Sequence, residues 1–138
     1  MSVVLGYDES LGAIKALHAA LEVASAFGEP LVLVYGAGPP GGMGEEYASH
    51  SAALMEIGRA ALAHAVEAAD EAGVPTTVEV VDAKPAQALL AAAEKHDARV
   101  IVVGTWGESP MKGALLGSTP HKLLHLSTRP VLCVPAHD

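Results

Sequence analysis

Short apolar runs alternate with longer amphipathic stretches along this chain of 138 residues. The runs are rich in β-branched residues and are bounded by glycine, proline or acidic residues, which is typical of buried strands. Between the runs, apolar residues recur every three or four positions, as they do on one face of a helix. The pattern predicts five strands, at Val3–Tyr7, Leu31–Tyr35, Thr76–Val81, Arg99–Val103 and Val131–Val134.

Four helices are predicted between these strands. The first begins at Glu9 or Ser10 and ends at Phe27, with Gly28 as its stop signal. The others are predicted from Glu45 or Tyr47 to Ala72, over Lys84–His96, and from Ser118 to about Leu126. Strands that alternate with helices form right-handed βαβ units. We therefore predict one α/β domain over residues 1–138, a doubly wound, mostly parallel sheet with helices on both faces.

Composition and charge exclude several classes of function. The formal net charge is −8 and no cluster of lysine or arginine interrupts it, which argues against binding to nucleic acid or to anionic membranes. The single cysteine, Cys133, leaves no intramolecular disulfide. No stretch resembles a signal peptide or reaches the roughly 20 apolar residues of a membrane span. A cytoplasmic protein is expected.

Ligands of such sheets bind beyond the carboxyl ends of the strands, where the strand order reverses. Asp8 follows the first strand and could accept hydrogen bonds from a ribose or help hold a metal. Equally, Asp8 or Ser10 could cap the next helix. Gly36 follows the second strand. Its exposed backbone edge could contact a base, or Gly36 could be a plain loop residue. Asp82 follows the third strand, where capping of the next helix is the favoured interpretation.

A glycine-rich segment follows the fourth strand and is the most informative motif of the chain. Gly104, Gly107, Gly117 and Ser118 form the pattern G-x2-G-x9-G-S, which leads from a strand through a loop into a helix. Glycine permits close approach of a backbone, and the unpaired N–H groups of a helix N-terminus suit a phosphate. The alternative is a long connection without a ligand.

The chain resembles the universal stress protein family over essentially its whole length. Three segments carry the resemblance: VVLGYDES, VVDAKPAQALLAAAEKHDARVIVVG, and the glycine pattern with the tail STRPVLCVP. The resemblance implies the adenine nucleotide alpha hydrolase-like fold, with strand order 3-2-1-4-5. It also implies that ATP, ADP or AMP binds where this order reverses, because the glycine pattern marks the nucleotide-binding branch of the family.

The resemblance also assigns residues to parts of the nucleotide. Gly6, Tyr7 and Asp8 would line the ribose and adenine side, and the backbone of Gly36 would meet the base. The loop glycines Gly104 and Gly107, with Thr105, would wrap the ribose and α-phosphate. Gly117, Ser118 and Thr119 would donate N–H and hydroxyl groups to the phosphates.

The loop departs from the family pattern in its charge. It reads Thr105-Trp106-Gly107-Glu108 where arginine is common, and Lys112 is the obvious basic group left between the glycines. Because extra negative charge near a triphosphate is unfavourable, we expect little discrimination between ATP, ADP and AMP, and a need for Mg²⁺ when ATP binds. Trp106 is interpreted as a surface aromatic residue, with a lid over the nucleotide or a partner contact as the alternatives.

Other candidate chemistry is weaker. His121 and His125 are four residues apart on a predicted helix, but the motif H-K-L-L-H lacks the glutamate of H-E-x-x-H, so no metal site is expected. No Ser, His and Asp set suggests a hydrolase. Pro130 and Pro135 bracket the last strand and place it at a sheet edge. The resemblance implies a homodimer through this strand, Val131–Val134, with a covered edge in a monomer as the alternative.

Three functional hypotheses follow. The favoured one is a stress or signalling protein that senses adenine nucleotides with little or no turnover and acts through an unidentified protein partner. The second is a slow ATPase or nucleotide-dependent enzyme, against which stands the lack of a recognisable base or cationic finger. The third is a dimeric interaction module without nucleotide.

Overall fold

The computed structural model describes residues 1–8, 10–38, 45–105 and 116–136, with the backbone alone at 45 and 47. All nine predicted elements are present in this part of the chain, with ends shifted by at most two residues. The strands are β1 (Ser2–Gly6), β2 (Leu31–Gly36), β3 (Thr76–Val81), β4 (Ala98–Gly104) and β5 (Val131–Val134). The helices are α1 (Leu11–Phe27), α2 (Glu45–Glu71), α3 (Pro85–Lys95) and α4 (Ser118–Leu126).

The five strands form one sheet in the order β3-β2-β1-β4-β5, and every neighbouring pair is parallel. This confirms the predicted fold class, including β5 at an edge. The central strand β1 is fully buried at Val3, Val4 and Leu5, since helices cover both of its faces. The strand order reverses between β1 and β4, which opens the carboxyl edge of the sheet at that point.

The core consists of two layers, one on each face of the sheet. Val3 and Leu5 point to the layer under α1 and α2, whereas Val4 points to the layer under α3 and α4. Alanines dominate the buried faces of the helices, which lets helix and sheet backbones approach closely. The high alanine content of the chain therefore belongs to the packing of helices on the sheet.

Two ion pairs bridge different segments at the amino edge of the sheet; we call them the amino-edge ion pairs. Glu29, just before β2, accepts from Arg99 of β4 at 2.6–3.0 Å in a bidentate arrangement, and the Arg99 guanidinium lies 4.0 Å from the centre of the Phe27 ring. Arg129, just before β5, donates at 2.9 Å to both the Asp97 carboxylate and the Ala98 carbonyl. These contacts hold the starts of β2, β4 and β5 together at the amino edge of the sheet. This edge is opposite to the carboxyl edge, which opens between β1 and β4.

Hydrogen bonds from Arg99 hold the pKa of Glu29 below its usual value of 4.5. The ionised carboxylate therefore stabilises the fold above that value, and this stability is lost as the pH falls through the lower pKa of the folded state. We expect Glu29→Gln to lower the melting temperature by a few degrees at pH 7 and by less at pH 3, which is below the usual pKa of 4.5. Thermal unfolding at both pH values measures this. Glu22→Gln removes an exposed carboxylate from α1 and is the control; equal losses at both pH values for Glu29→Gln would contradict the assignment.

Candidate nucleotide site

A cavity of about 330 Å³ opens at the carboxyl edge of the sheet, between the ends of β1, β2 and β4 and the first turns of α1, α3 and α4. Parallel strands bring all their carboxyl ends to one edge, and the segments that follow β1, β3 and β4 contribute residues to its rim. The lining residues are Gly6, Tyr7, Asp8, Ser10, Ala13, Val34, Tyr35, Gly36, Pro85, Leu89, Val103, Gly104, Gly117, Ser118, Thr119 and Pro120.

Eight of the residues that the resemblance assigns to the nucleotide line this cavity. They are Gly6, Tyr7, Asp8, Gly36, Gly104, Gly117, Ser118 and Thr119. Thr105 is not among the lining residues and instead ties the loop to its surroundings: its N–H donates to the Val134 carbonyl at 3.0 Å, and its carbonyl accepts from the Gly117 N–H at 2.7 Å. Gly107 and Lys112, like Trp106, lie outside the described residues.

The apolar half of the cavity was not recognised from the sequence. Tyr35 and Val34 come from the end of β2, and Pro85 and Leu89 from the first turns of α3. Tyr7, just after β1, was predicted from the resemblance and is only 6% exposed. The alternation along the strands would have found Val34, whereas Leu89 is 1% exposed and belongs also to the core. Val34 and Leu89 belong to the layer under α3 and α4, and Tyr7 and Tyr35 to the layer under α1 and α2, so both layers contribute to an apolar lining that suits a flat heterocycle.

Asp8 and Ser10 both organise the turn into α1. One Asp8 carboxylate oxygen accepts from the Ser10 N–H at 3.0 Å, and the Ser10 hydroxyl accepts from the Ala13 N–H at 3.1 Å as the helix cap. Ser10 therefore caps the helix, and Asp8 fixes the turn that leads into it. The two interpretations of Asp8 are compatible, because a carboxylate retains further acceptor positions for a ligand hydroxyl.

Two glycines of the rim are explained by the protein's own backbone. A Cβ at Gly36 would lie 2.7 Å from the Pro85 Cα, and a Cβ at Gly104 would lie 2.9 Å from the carbonyl carbon of Gly12. Distances below 3.0 Å leave no room for a side chain, so both positions need glycine whether or not a ligand binds. The close approach expected at the end of β4 is thus a contact with α1 of the same molecule.

The N-terminus of α4 supplies the donors of the site. Gly117 caps the helix, but its N–H is already donated to Thr105, so the expectation that it reaches a phosphate is not met in this structure. Pro120 has no N–H. The first turn therefore offers the N–H groups of Ser118 and Thr119, together with their hydroxyls and the positive end of the helix dipole. This set can hold one phosphate group.

Asp82 does not cap α3, and this prediction is wrong. The N-cap position of α3 is Lys84, which makes no side-chain cap bond. The Asp82 carboxylate instead accepts from the hydroxyl of Ser51 on α2 at 2.8 Å. The connection from β3 to α3 is therefore fixed by a contact with a distant helix, which local sequence signals do not contain.

Charge is sparse around the cavity. Among its lining residues Asp8 is the charged side chain, and none is lysine or arginine. Within the described ranges, no group of three or more His, Cys, Asp or Glu side chains is placed to bind a metal. In that same part of the chain, none of the helices has the length and apolar character needed to cross a membrane.

Comparison with known proteins identifies relatives along the whole chain. The model of the universal stress protein family matches residues 1–135. A universal stress protein of Methanocaldococcus jannaschii, MJ0531, is 30% identical over 136 residues, which cover 96% of this chain and 80% of the relative. The Mycobacterium tuberculosis protein Rv2028c is 33% identical over 143 residues. That match covers 99% of this chain but only 48% of the relative, so the chain spans about half of that protein's length.

Solved structures share the fold, and three of them contain an adenine nucleotide. A universal stress protein in complex with cAMP has a TM-score of 0.73 and 26% identity, covering 99% of this chain and 98% of that one. An Archaeoglobus fulgidus protein in complex with dAMP has a TM-score of 0.70 and 23% identity, with 97% of both chains covered. An Arabidopsis thaliana protein with AMP bound has a TM-score of 0.69 and 13% identity, covering 98% of this chain and 92% of that one. The last two likenesses show the fold alone.

Proposed function

The chain belongs to the universal stress protein family, and on this premise we propose that its carboxyl-edge cavity binds an adenine nucleotide. The observation that carries the proposal is the cavity itself: it is lined by apolar residues for a base, by Asp8, and by Ser118 and Thr119 of the first turn of α4. The base would lie against the apolar wall that includes Val34 and Leu89, beside the backbone at Gly36. A phosphate would then accept hydrogen bonds from Ser118 and Thr119.

Nucleotide occupancy is proposed to act as a signal, with little or no turnover. Hydrolysis needs a positioned base and cations that neutralise the leaving charge. The cavity lining in the described part of the chain contains one carboxylate, which is held in a turn, and neither lysine nor arginine. A slow ATPase is the less favoured alternative, and multiple-turnover assays separate the two.

A second candidate function is favoured by a specific observation. Gly36 and Gly104 are required by the packing of the protein against itself, so the glycine pattern alone does not demand a ligand. The chain would then be a dimeric interaction module without nucleotide. Nucleotide released from the purified protein by denaturation, or bound on addition, decides between the two functions.

Ser118 provides the sharpest test of nucleotide binding. An aspartate in the first turn of a helix is favourable for the helix dipole but repels a phosphate at the same place. We expect Ser118→Asp to fold normally and to weaken AMP binding by about tenfold or more, since one charge-assisted contact is worth about 1.5–3 kcal/mol. The measurement is calorimetric titration with AMP.

The matched control is Ser118→Asn, which is close in size to aspartate and neutral. It should change the affinity by no more than a few-fold. Equal affinities of the Asp and Asn variants would remove α4 from the phosphate site, and a wild-type protein that binds no adenine nucleotide would favour the interaction module.

The shortage of cations predicts weak discrimination by phosphate number. Asp8 lines the cavity, and the loop sequence adds Glu108 with Lys112 as its obvious basic residue. We expect ATP, ADP and AMP to bind with affinities within about tenfold of each other, and Mg²⁺ to strengthen ATP binding by screening its charge. Titration of all three nucleotides with and without Mg²⁺ tests this. Tight metal-free binding of ATP, with AMP much weaker, would be the opposite result.

The homodimer is also part of the proposal. β5 is an edge strand whose outer side is unpaired within the described chain, and Leu132 on it is 38% exposed. Such an edge pairs readily with a second copy across a two-fold axis. Gly104 lines the cavity, and the N–H of the next residue, Thr105, bonds to Val134 of β5. Binding and release of nucleotide would then reach the interface through this bond.

Leu132→Lys should convert this dimer to a monomer, because lysine on an edge strand blocks pairing. Light scattering coupled to size-exclusion chromatography measures the mass. Ile57→Lys is the control: Ile57 is 56% exposed on α2, which packs on β2 and β3 at the other side of the sheet. A wild-type monomer, or a dimer that both variants preserve, would exclude β5 as the interface.

A further inference from the structure

The exposed side of α4 carries the pair His121 and His125, which takes no part in the cavity. The two side chains are four residues apart in the helix and therefore lie on the same face, one turn above the other. Their ring centres are 4.7 Å apart and the ring planes are inclined at 70°. Of the seven histidines in the sequence, these are the two at helical i, i+4 spacing.

Contrary to the expectation from the sequence, which considered only the H-E-x-x-H motif, we propose that His121 and His125 form a binding site for a divalent first-row transition-metal ion. Two imidazoles that share one ion through bonds of about 2.1 Å hold their ring centres about 5 Å apart. The rings of this pair already lie close to that separation. Rotation of the two exposed side chains can therefore bring one nitrogen of each ring to a shared ion without moving the helix.

The donor set decides which ions fit. Imidazole nitrogen suits Zn²⁺, Ni²⁺ and Cu²⁺, whereas Mg²⁺ and Ca²⁺ require oxygen ligands. No third protein ligand joins the pair within the described part of the chain. The remaining coordination positions are filled by water or by a donor on another molecule, as in sites that keep open positions.

The surroundings leave the site accessible. Both residues are exposed, so an ion reaches them without desolvation of a buried group. Lys122 is the nearest charge in sequence, but it lies about 100° around the helix from His121. The overall charge of −8 favours the approach of cations.

The test uses untagged protein and calorimetric titration with NiCl2 in a buffer that does not chelate metals. We expect one ion per chain in the wild type. His121→Gln and His125→Gln should each weaken binding by about tenfold or more, because the second imidazole acts at a high effective concentration once the first has bound. The double variant should lose the site.

His18→Gln is the matched control, since His18 is an exposed single histidine on α1; it should leave the binding unchanged. MgCl2 should give no binding at this site. A second readout is the melting temperature, which Ni²⁺ should raise in the wild type and not in the double variant. Circular dichroism establishes that all variants are folded. A double variant that binds Ni²⁺ as tightly as the wild type, or Mg²⁺ binding equal to that of Ni²⁺, overturns the proposal.

Discussion

The pairing of β1 with β2 on one side and β4 on the other is the constraint from which the cavity follows. Because all strands are parallel and their crossovers are right-handed, the chain must turn to opposite sides of the sheet after β1 and after β4. The segments that follow these strands cannot cover the gap between them. A crevice at this point is therefore a consequence of topology, and the side chains only decide what fits into it.

The amino edge of the sheet contributes to the stability of the fold, and the carboxyl edge carries the candidate site. The amino edge is held by Glu29 with Arg99 and by Asp97 with Arg129, contacts that join segments far apart in sequence. The carboxyl edge presents an apolar wall, one carboxylate and the start of α4. A site of this kind can be altered without loosening the segments that hold the sheet together.

The sequence predicted most of the fold because each element carries its own signal. The apolar runs, Ser10 and Gly28 at the ends of α1, and the prolines around β5 act locally, and these boundaries agree with the structure. The position of the site was equally predictable, since parallel strands bring their ends to one edge. Contacts between distant segments were not: the bond of Ser51 to Asp82 and that of Gly117 to Thr105 exist only once the chain has folded.

The contact between Gly12 and Gly104 links two positions that are far apart in the sequence. Gly104 cannot acquire a side chain without moving the start of α1 away from the end of β4, and with it the rim on which Asp8 and Ser10 lie. Neighbouring rim positions such as Ala13 or Val103 can exchange one small apolar residue for another by independent steps. Position 104 can change only in concert with the backbone of α1, so over evolutionary time the rim would diverge in chemistry while keeping its width.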